Sequence, residues 1–202
     1  MAKEKREEFD LLIKVLKDLK DFQPYLVLVG GWVPYLYNRY VWKKTGPDPV
    51  LTTDIDFGLR NLAFKGKETI ARRVMEKKYK EHHVELGKDF PFVPIVHRKG
   101  RQADIEFICD PKTPESVKKK LVGTEILIDP LPFTGILLEK TIPLKIEGVK
   151  INIPAPLRFA FQKFLTFPER TDPAKKGKDL LMPITCFDLT RSRRGSQQDS
   201  RN

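Results

Sequence analysis

The sequence predicts an α/β (α+β) fold, a mixed β-sheet with helices flanking it. Three observations carry that expectation. An amphipathic helical pattern opens the chain, short apolar or alternating runs of strand length recur between Tyr25 and Ile153, and helical stretches separated by Gly and Pro turns interrupt those runs. There is no internal repeat.

From Lys3 to Phe22 the apolar residues Phe9, Leu12, Val15, Leu16 and Leu19 recur at helical spacing among Lys and Glu, so a surface helix packed on one face is expected. Pro24 closes it. Tyr25 to Val29 is an apolar run of strand length ended by Gly30-Gly31, and a second helix starts at Trp32 and runs to about Tyr40. Lys43 to Val50, with Gly46, Pro47 and Pro49, reads as a loop, and Asp54 to Leu59 alternates as a half-buried strand does. Lys67 to about His82 is expected to be helical, with Ile70, Val74 and Tyr79 inward.

Strands follow. Phe90 to Val96 and Ala103 to Ile108 form neighbours joined by the turn Arg98 to Arg101, and Pro114 to Leu121 supplies one or two helical turns. Ile126 to Ile128, Ile136 to Leu138, Ile142 to Ile146 and Val149 to Ile153 are expected as short strands, the last two joined at Glu147-Gly148. Pro156 suits the first turn of a helix from Leu157 to about Phe167, in which Leu157, Phe161, Phe164 and Leu165 share a face.

Composition narrows the function classes. The chain has 202 residues, 40% of them apolar and 10% aromatic, which supports one core of ordinary size and argues against wholesale disorder. A net charge of +11 favours polyanionic partners such as RNA, DNA or nucleotide phosphates over the alternative of a merely soluble basic surface. Without the polar run Arg191 to Asn202, which holds four Arg and one Asp, the charge is still +8. Cys109 and Cys186 lack metal or disulfide spacing, which fits a reducing cytoplasm. No apolar stretch is long enough to span a bilayer, so no membrane association is expected.

The chemistry lies in three places. Asp54 and Asp56 sit two apart in a strand-like segment, so both side chains face one way, about two strand rises of ~3.3 Å apart, and can hold a divalent cation. Ile55 and Phe57 face the core. Gly30-Gly31, between an apolar strand and a helix, lets backbone approach a phosphate. A third acidic strand, Ala103 to Ile108, carries Asp104 and Glu106 on one face, and either completes a three-carboxylate cluster. Mg²⁺ takes few carboxylates plus substrate phosphates, and two such ions activate a hydroxyl and neutralise a leaving pyrophosphate, which is nucleotidyl-transfer chemistry.

These residues, Leu28-Val-Gly-Gly31, Thr53-Asp-Ile-Asp-Phe57 and Ala103 to Ile108, resemble the nucleotidyltransferase superfamily that includes DNA polymerase beta. The resemblance is closer to its minimal bacterial and archaeal members, including the type IV toxin-antitoxin toxins of the abortive-infection group. It implies a nucleotidyltransferase-like fold with residues 1–155 as core and 156–182 as a helical extension; residues 183–202, which end in the Ser-, Gln- and Arg-rich run, are expected to be a mobile tail. It implies Gly30 and Gly31 against the triphosphate, Asp54 and Asp56 as metal ligands, and Glu106 as the third carboxylate with Asp104 as its rival. Lys163 is then the counterpart of a phosphate-binding lysine, its alternative being a solvated surface lysine, and Lys178-Asp179 the counterpart of a later Lys-Asp pair. Relatives continue into acceptor-side helices where this chain has Met182-Pro183 and a polar run.

The expected function is therefore transfer of a nucleoside monophosphate from an NTP to a hydroxyl acceptor with Mg²⁺ or Mn²⁺. The acceptor is open, with tRNA or another nucleic acid among the candidates. The alternative is a non-catalytic nucleotide- or RNA-binding module retaining the fold, and a metal-dependent phosphohydrolase ranks third. His82-His83 are expected as helix-end polar residues, His97 and Lys118 to Lys120 as solvated surface or phosphate contacts, and Trp32, Tyr35 and Tyr37 as core rather than base-stacking rings.

Overall fold

Two parallel strands, β2 (Ile55–Leu59) and β5 (Arg101–Cys109), lie side by side, and the rest of the main sheet builds outward from them. The computed structural model describes residues 3–43 and 53–169. On one flank β1 (Leu26–Leu28) runs antiparallel to β2; on the other, β4 (Phe92–Arg98) is antiparallel to β5 and carries β3 (Lys80–His83) at the edge, giving the order β1-β2-β5-β4-β3. The pairing of β4 with β5 covers residues 95–98 against 101–104. Beyond it β5 takes a different neighbour, β6 (Ile128–Pro130), in parallel at Phe107 to Cys109. A second, two-stranded sheet is the hairpin of β7 (Thr141–Ile146) and β8 (Val149–Pro154).

Alternation in the sequence sets the two faces of the main sheet. In β5, Ala103, Ile105 and Phe107 are buried while Gln102 and Glu106 are exposed. Helix α1 (Lys3–Asp18) lies against β4 and β5, and since the acidic face is open it covers the apolar one with Leu12, Val15 and Leu16. The basic turn after β4 ties to this helix: Lys99 stands 3.9 Å from Asp10 and Arg101 3.5 Å from Glu7.

On the acidic face, the helices α5 (Thr134–Glu139) and α6 (Pro156–Thr166) pack on each other and close one end. Leu138 of α5 lies over Gly58, where a Cβ would come within 2.6 Å of the leucine Cδ2. Gly58 shares its face of β2 with Asp56. Helix α2 (Trp32–Leu36) continues as a π turn over Tyr37–Val41, and the Tyr37 hydroxyl donates to the Pro154 carbonyl oxygen at 2.7 Å, just ahead of α6. Trp32, Tyr35 and Tyr37 are all buried.

Helix α3 (Ile70–Glu76) is held by Arg73, whose guanidinium donates to Glu68 at 2.9 and 2.7 Å, to Asp21 at 2.9 Å and to the Asp18 carbonyl at 3.0 Å. Among the described residues no helix is long and apolar enough to cross a membrane.

Two expectations are corrected. Ile136 to Leu138 belong to α5, not to a strand: an apolar triplet does not by itself distinguish the two, and here it packs against α6. The helix expected from Lys67 to His82 spans Ile70–Glu76, after which the chain turns into edge strand β3, so His82 and His83 alternate along a strand. In α6 Leu157, Phe161 and Phe164 share a face as expected; that face is exposed, at 61%, 56% and 43%, while the helix buries Phe159, Ala160, Gln162 and Lys163. Residues 44–52, which include most of the Lys43 to Val50 loop, and residues 170–202, with Lys178-Asp179, Met182-Pro183, Cys186 and the polar run, lie outside the described residues.

Candidate active site

The register of β2 against β5 puts Asp56 directly beside Glu106, Ile55 beside Ile105 and Phe57 beside Phe107. The apolar partners fix that register. Phe57 and Phe107 stack in the core at a centroid distance of 5.8 Å and an interplanar angle of 22°, and a slip by one residue would turn the acidic side chain of the slipped strand into the interior. Packing on one face of the sheet therefore forces two carboxyl groups together on the other.

They meet as a hydrogen-bonded pair. The Asp56 carboxyl is pushed up from its ordinary value to about 7. Burial is the largest cause, followed by the charge of Glu106, the hydrogen bond to Glu106 and the charge of Asp54; the Lys163 ammonium opposes them. Asp56 as a residue keeps some exposed surface, but its carboxyl is the part turned inward, so desolvation of that group dominates.

Asp54 precedes β2 on the same face, exposed, with the Thr53 hydroxyl donating to it at 3.3 Å. Asp104 is on the Glu106 face but one step earlier, opposite Ile95 of β4, and is not among the groups acting on Asp56. Lys163 is 9% exposed, with its Nζ 5.8 Å from the centre of the Phe159 ring. The solvated-surface alternative for this lysine is corrected: its stem runs through the core and its charge is felt at the carboxyl pair.

The glycine turn closes the arrangement. Gly30 has φ +67°, a conformation that favours glycine, and a Cβ there would lie 1.7 Å from Asp56 Oδ2. The Val29 amide donates to the Asp56 carbonyl oxygen at 2.9 Å, which locks the turn to β2. Gly31, buried with φ −71°, begins α2.

The structure thus brings Asp54, Asp56, Glu106, Lys163 and Gly30 to one place, and the charged groups acting on Asp56 are all ones the sequence singled out. His82 and His83 lie elsewhere, on the exposed edge strand, His83 being engaged with Glu81 at 3.1 Å and facing the Phe90 carbonyl oxygen at 3.3 Å. His97 is exposed near the end of β4, and Lys118 pairs with Glu115 on α4 (Glu115–Leu121).

A divalent cation fits this donor set. Two carboxyls, held together by the fold and sharing a proton, are the oxygen ligands a hard cation displaces that proton to reach. Among the described residues no three His, Cys, Asp or Glu side chains form a ready cage. Mg²⁺ suits that arrangement, since it commonly takes one or two carboxylates and completes its shell with substrate phosphates and water.

A family model described as Nucleotidyltransferase matches residues 9–201. The fold is similar to the crystal structure of an antigenic nucleotidyltransferase-like protein from Paracoccidioides brasiliensis, with a TM-score of 0.54 and 16% identity, over 89% of this chain and 77% of that one. Among curated proteins the search found no match.

Proposed function

The chain belongs to the nucleotidyltransferase family, and from that membership we propose that it transfers a nucleoside monophosphate from an NTP to a hydroxyl acceptor on the open acidic face of the sheet. The observation that carries the proposal is the in-register Asp56–Glu106 pair with Gly30 against it. In the reaction the acceptor oxygen bonds to the α-phosphorus, the bond to pyrophosphate breaks, and the acceptor proton passes to the enzyme.

Asp54, Asp56 and Glu106 are the residues that would hold Mg²⁺ or Mn²⁺, which supplies Lewis-acid charge at the triphosphate and the acceptor oxygen. Gly30 and Gly31 are the residues that would lie against the triphosphate, their backbone unobstructed by side chains of their own. Lys163 offers a fixed positive charge from the opposite wall. The Asp56–Glu106 pair, with a proton held near neutrality, is poised to take the acceptor proton once ionised. Dependence on nucleoside triphosphate points to the cytoplasm.

Incubation with labelled NTPs, Mg²⁺ and candidate acceptors tests the reading: pyrophosphate release and a labelled acceptor, both lost in Asp56→Asn, are the expected result. A binding module without turnover is the second reading, favoured by the net charge of +11. It predicts NTP or RNA binding with no pyrophosphate. Release of label to water alone would identify a phosphohydrolase. A toxin role rests on the motif resemblance alone, and growth arrest on expression that disappears with Asp56→Asn is its test.

A further inference from the structure

We infer that the cavity between the 3-10 turn Lys20–Tyr25 and the β7-β8 hairpin binds a single-stranded nucleic-acid segment, with Lys20, Lys145 and Lys150 on its phosphates and Gln23 facing a base. The site lies apart from the carboxyl pair. Tyr25 is bonded to the Arg60 amide at 2.9 Å, four residues along from Asp56, so the cavity is displaced by about 13 Å along the strand at ~3.3 Å per residue. The inference goes beyond the transfer reaction and would stand if the chain proved to be a binding module.

Three independent features converge. The first is a cavity of about 570 Å³, whose walls include Lys20, Gln23, Pro24, Pro143, Lys150 and Asn152. Pro24 and Pro143 give it apolar surface of the kind a base or ribose covers. The second is charge. Lys145 and Lys150 are direct cross-strand partners in the hairpin, on the face that also carries Pro143 and Asn152. Like charges in that register oppose folding, and an anion bound between them would remove the repulsion. Of the nearby carboxylates, Asp21 is tied to Arg73 at 2.9 Å, and Glu147 at the hairpin tip adds its charge to the burial that pushes the Tyr40 phenol up.

The third is Gln23. It is 5% exposed, and both its amide nitrogen and its amide oxygen are buried without a hydrogen-bond partner. A buried unsatisfied amide is costly and is normally paired. Its backbone carbonyl oxygen is already used, accepting from the Asn152 side-chain amide at 3.4 Å. Both atoms are sealed from solvent, so a base reaches them once the side chain turns into the cavity; the primary amide then offers one donor and one acceptor side by side, the complement of a base edge, while the lysines suit a strand carrying several phosphates.

The experiment is titration of labelled single-stranded RNA into the full chain over a range of salt. Single strands lose about 0.7 in the slope of log K against log salt for each phosphate contact removed. Lys145→Ala with Lys150→Ala is therefore expected to flatten the slope by about 1.4 and weaken binding about tenfold or more at low salt. Gln23→Leu is expected to weaken binding several-fold at unchanged slope. Asp56→Asn is expected to bind the strand as wild type does, which separates this site from the catalytic reading, and unchanged thermal melting of the lysine variant shows that it folds. Unchanged affinity and slope in the lysine variant would overturn the inference. So would displacement of the strand by free NTP as effectively as by unlabelled RNA, since the cavity would then be a mononucleotide site.

Discussion

Gly30 and Asp56 are in such close contact that no side chain fits between them, a Cβ at position 30 falling 1.7 Å from Asp56 Oδ2. The carboxyl carbon would lie at 2.7 Å and the Asp56 Cβ at 3.1 Å, so substitution turns the carboxyl aside and also presses the turn away from β2. Gly30→Ala is expected to cost about 1–2 kcal/mol for the left-handed backbone and to lower turnover by about 10²-fold or more as Asp56 leaves Glu106. Denaturant melts alongside initial rates check both parts.

The two acidic residues of β5 are expected to differ sharply. Glu106→Gln should lower kcat by about 10²-fold or more, whereas Asp104→Asn, opposite Ile95 and away from Asp56, should stay within about threefold of wild type. Steady-state kinetics on the two variants decide it. The reverse order would contradict the register that pairs Glu106 with Asp56.

Stability should depend on pH through Asp56. Its folded pKa, about 7, lies above the ordinary value of 3.8, so the folded state holds a proton that the unfolded state releases. The stabilisation is complete below pH 4 and is lost as pH rises through 7. The metal-free protein is expected to melt at lower temperature at pH 8 than at pH 5, with Mn²⁺ raising the melting temperature at pH 8 far more than at pH 5. Asp56→Asn should lack the fall between these pH values attributable to this group; scanning calorimetry with EDTA and with Mn²⁺ tests both.

Removal of the Lys163 charge should act on binding and titration together. Lys163 holds the Asp56 pKa down, so Lys163→Ala is expected to move the acidic limb of the pH-rate profile to higher pH. Loss of a charged phosphate contact should raise the KM for NTP roughly tenfold. A variant with raised KM and an unmoved profile would show that the lysine acts on substrate without touching the carboxyl pair.

Arg73 is a structural hub away from the site. Its side chain, 16% exposed, joins Glu68, Asp21 and the Asp18 carbonyl, and its own pKa is pushed up by the two carboxylates, the Glu68 hydrogen bond first and Asp21 after it. Arg73→Ala should destabilise the fold by about 2 kcal/mol while leaving KM for NTP unchanged in the folded protein, as urea melts and kinetics below the transition would show.

Much of this arrangement was legible before any coordinates. Period-2 alternation around Asp54 and Asp56, and around Asp104 and Glu106, assigns each carboxyl to the face opposite its apolar neighbours, and the structure agrees. What alternation cannot give is register between strands distant in sequence. The choice of Glu106 over Asp104 as the neighbour of Asp56 depends on Phe57 meeting Phe107, a tertiary fact. The error at Ile136 to Leu138 has a similar origin, because three apolar residues fit a strand or a helix until their partner, here α6, is known. Lys163 was readable as a position but not as a buried one, since a long aliphatic stem passes through core while its head remains polar.

The hydrogen bond from the Tyr37 hydroxyl to the Pro154 carbonyl spans 117 residues of sequence and joins the segment beyond the glycine turn to the root of the helix bearing Lys163. This latch thereby ties one bank of the cleft to the other through a buried contact. Tyr37→Phe would keep the ring and remove the latch.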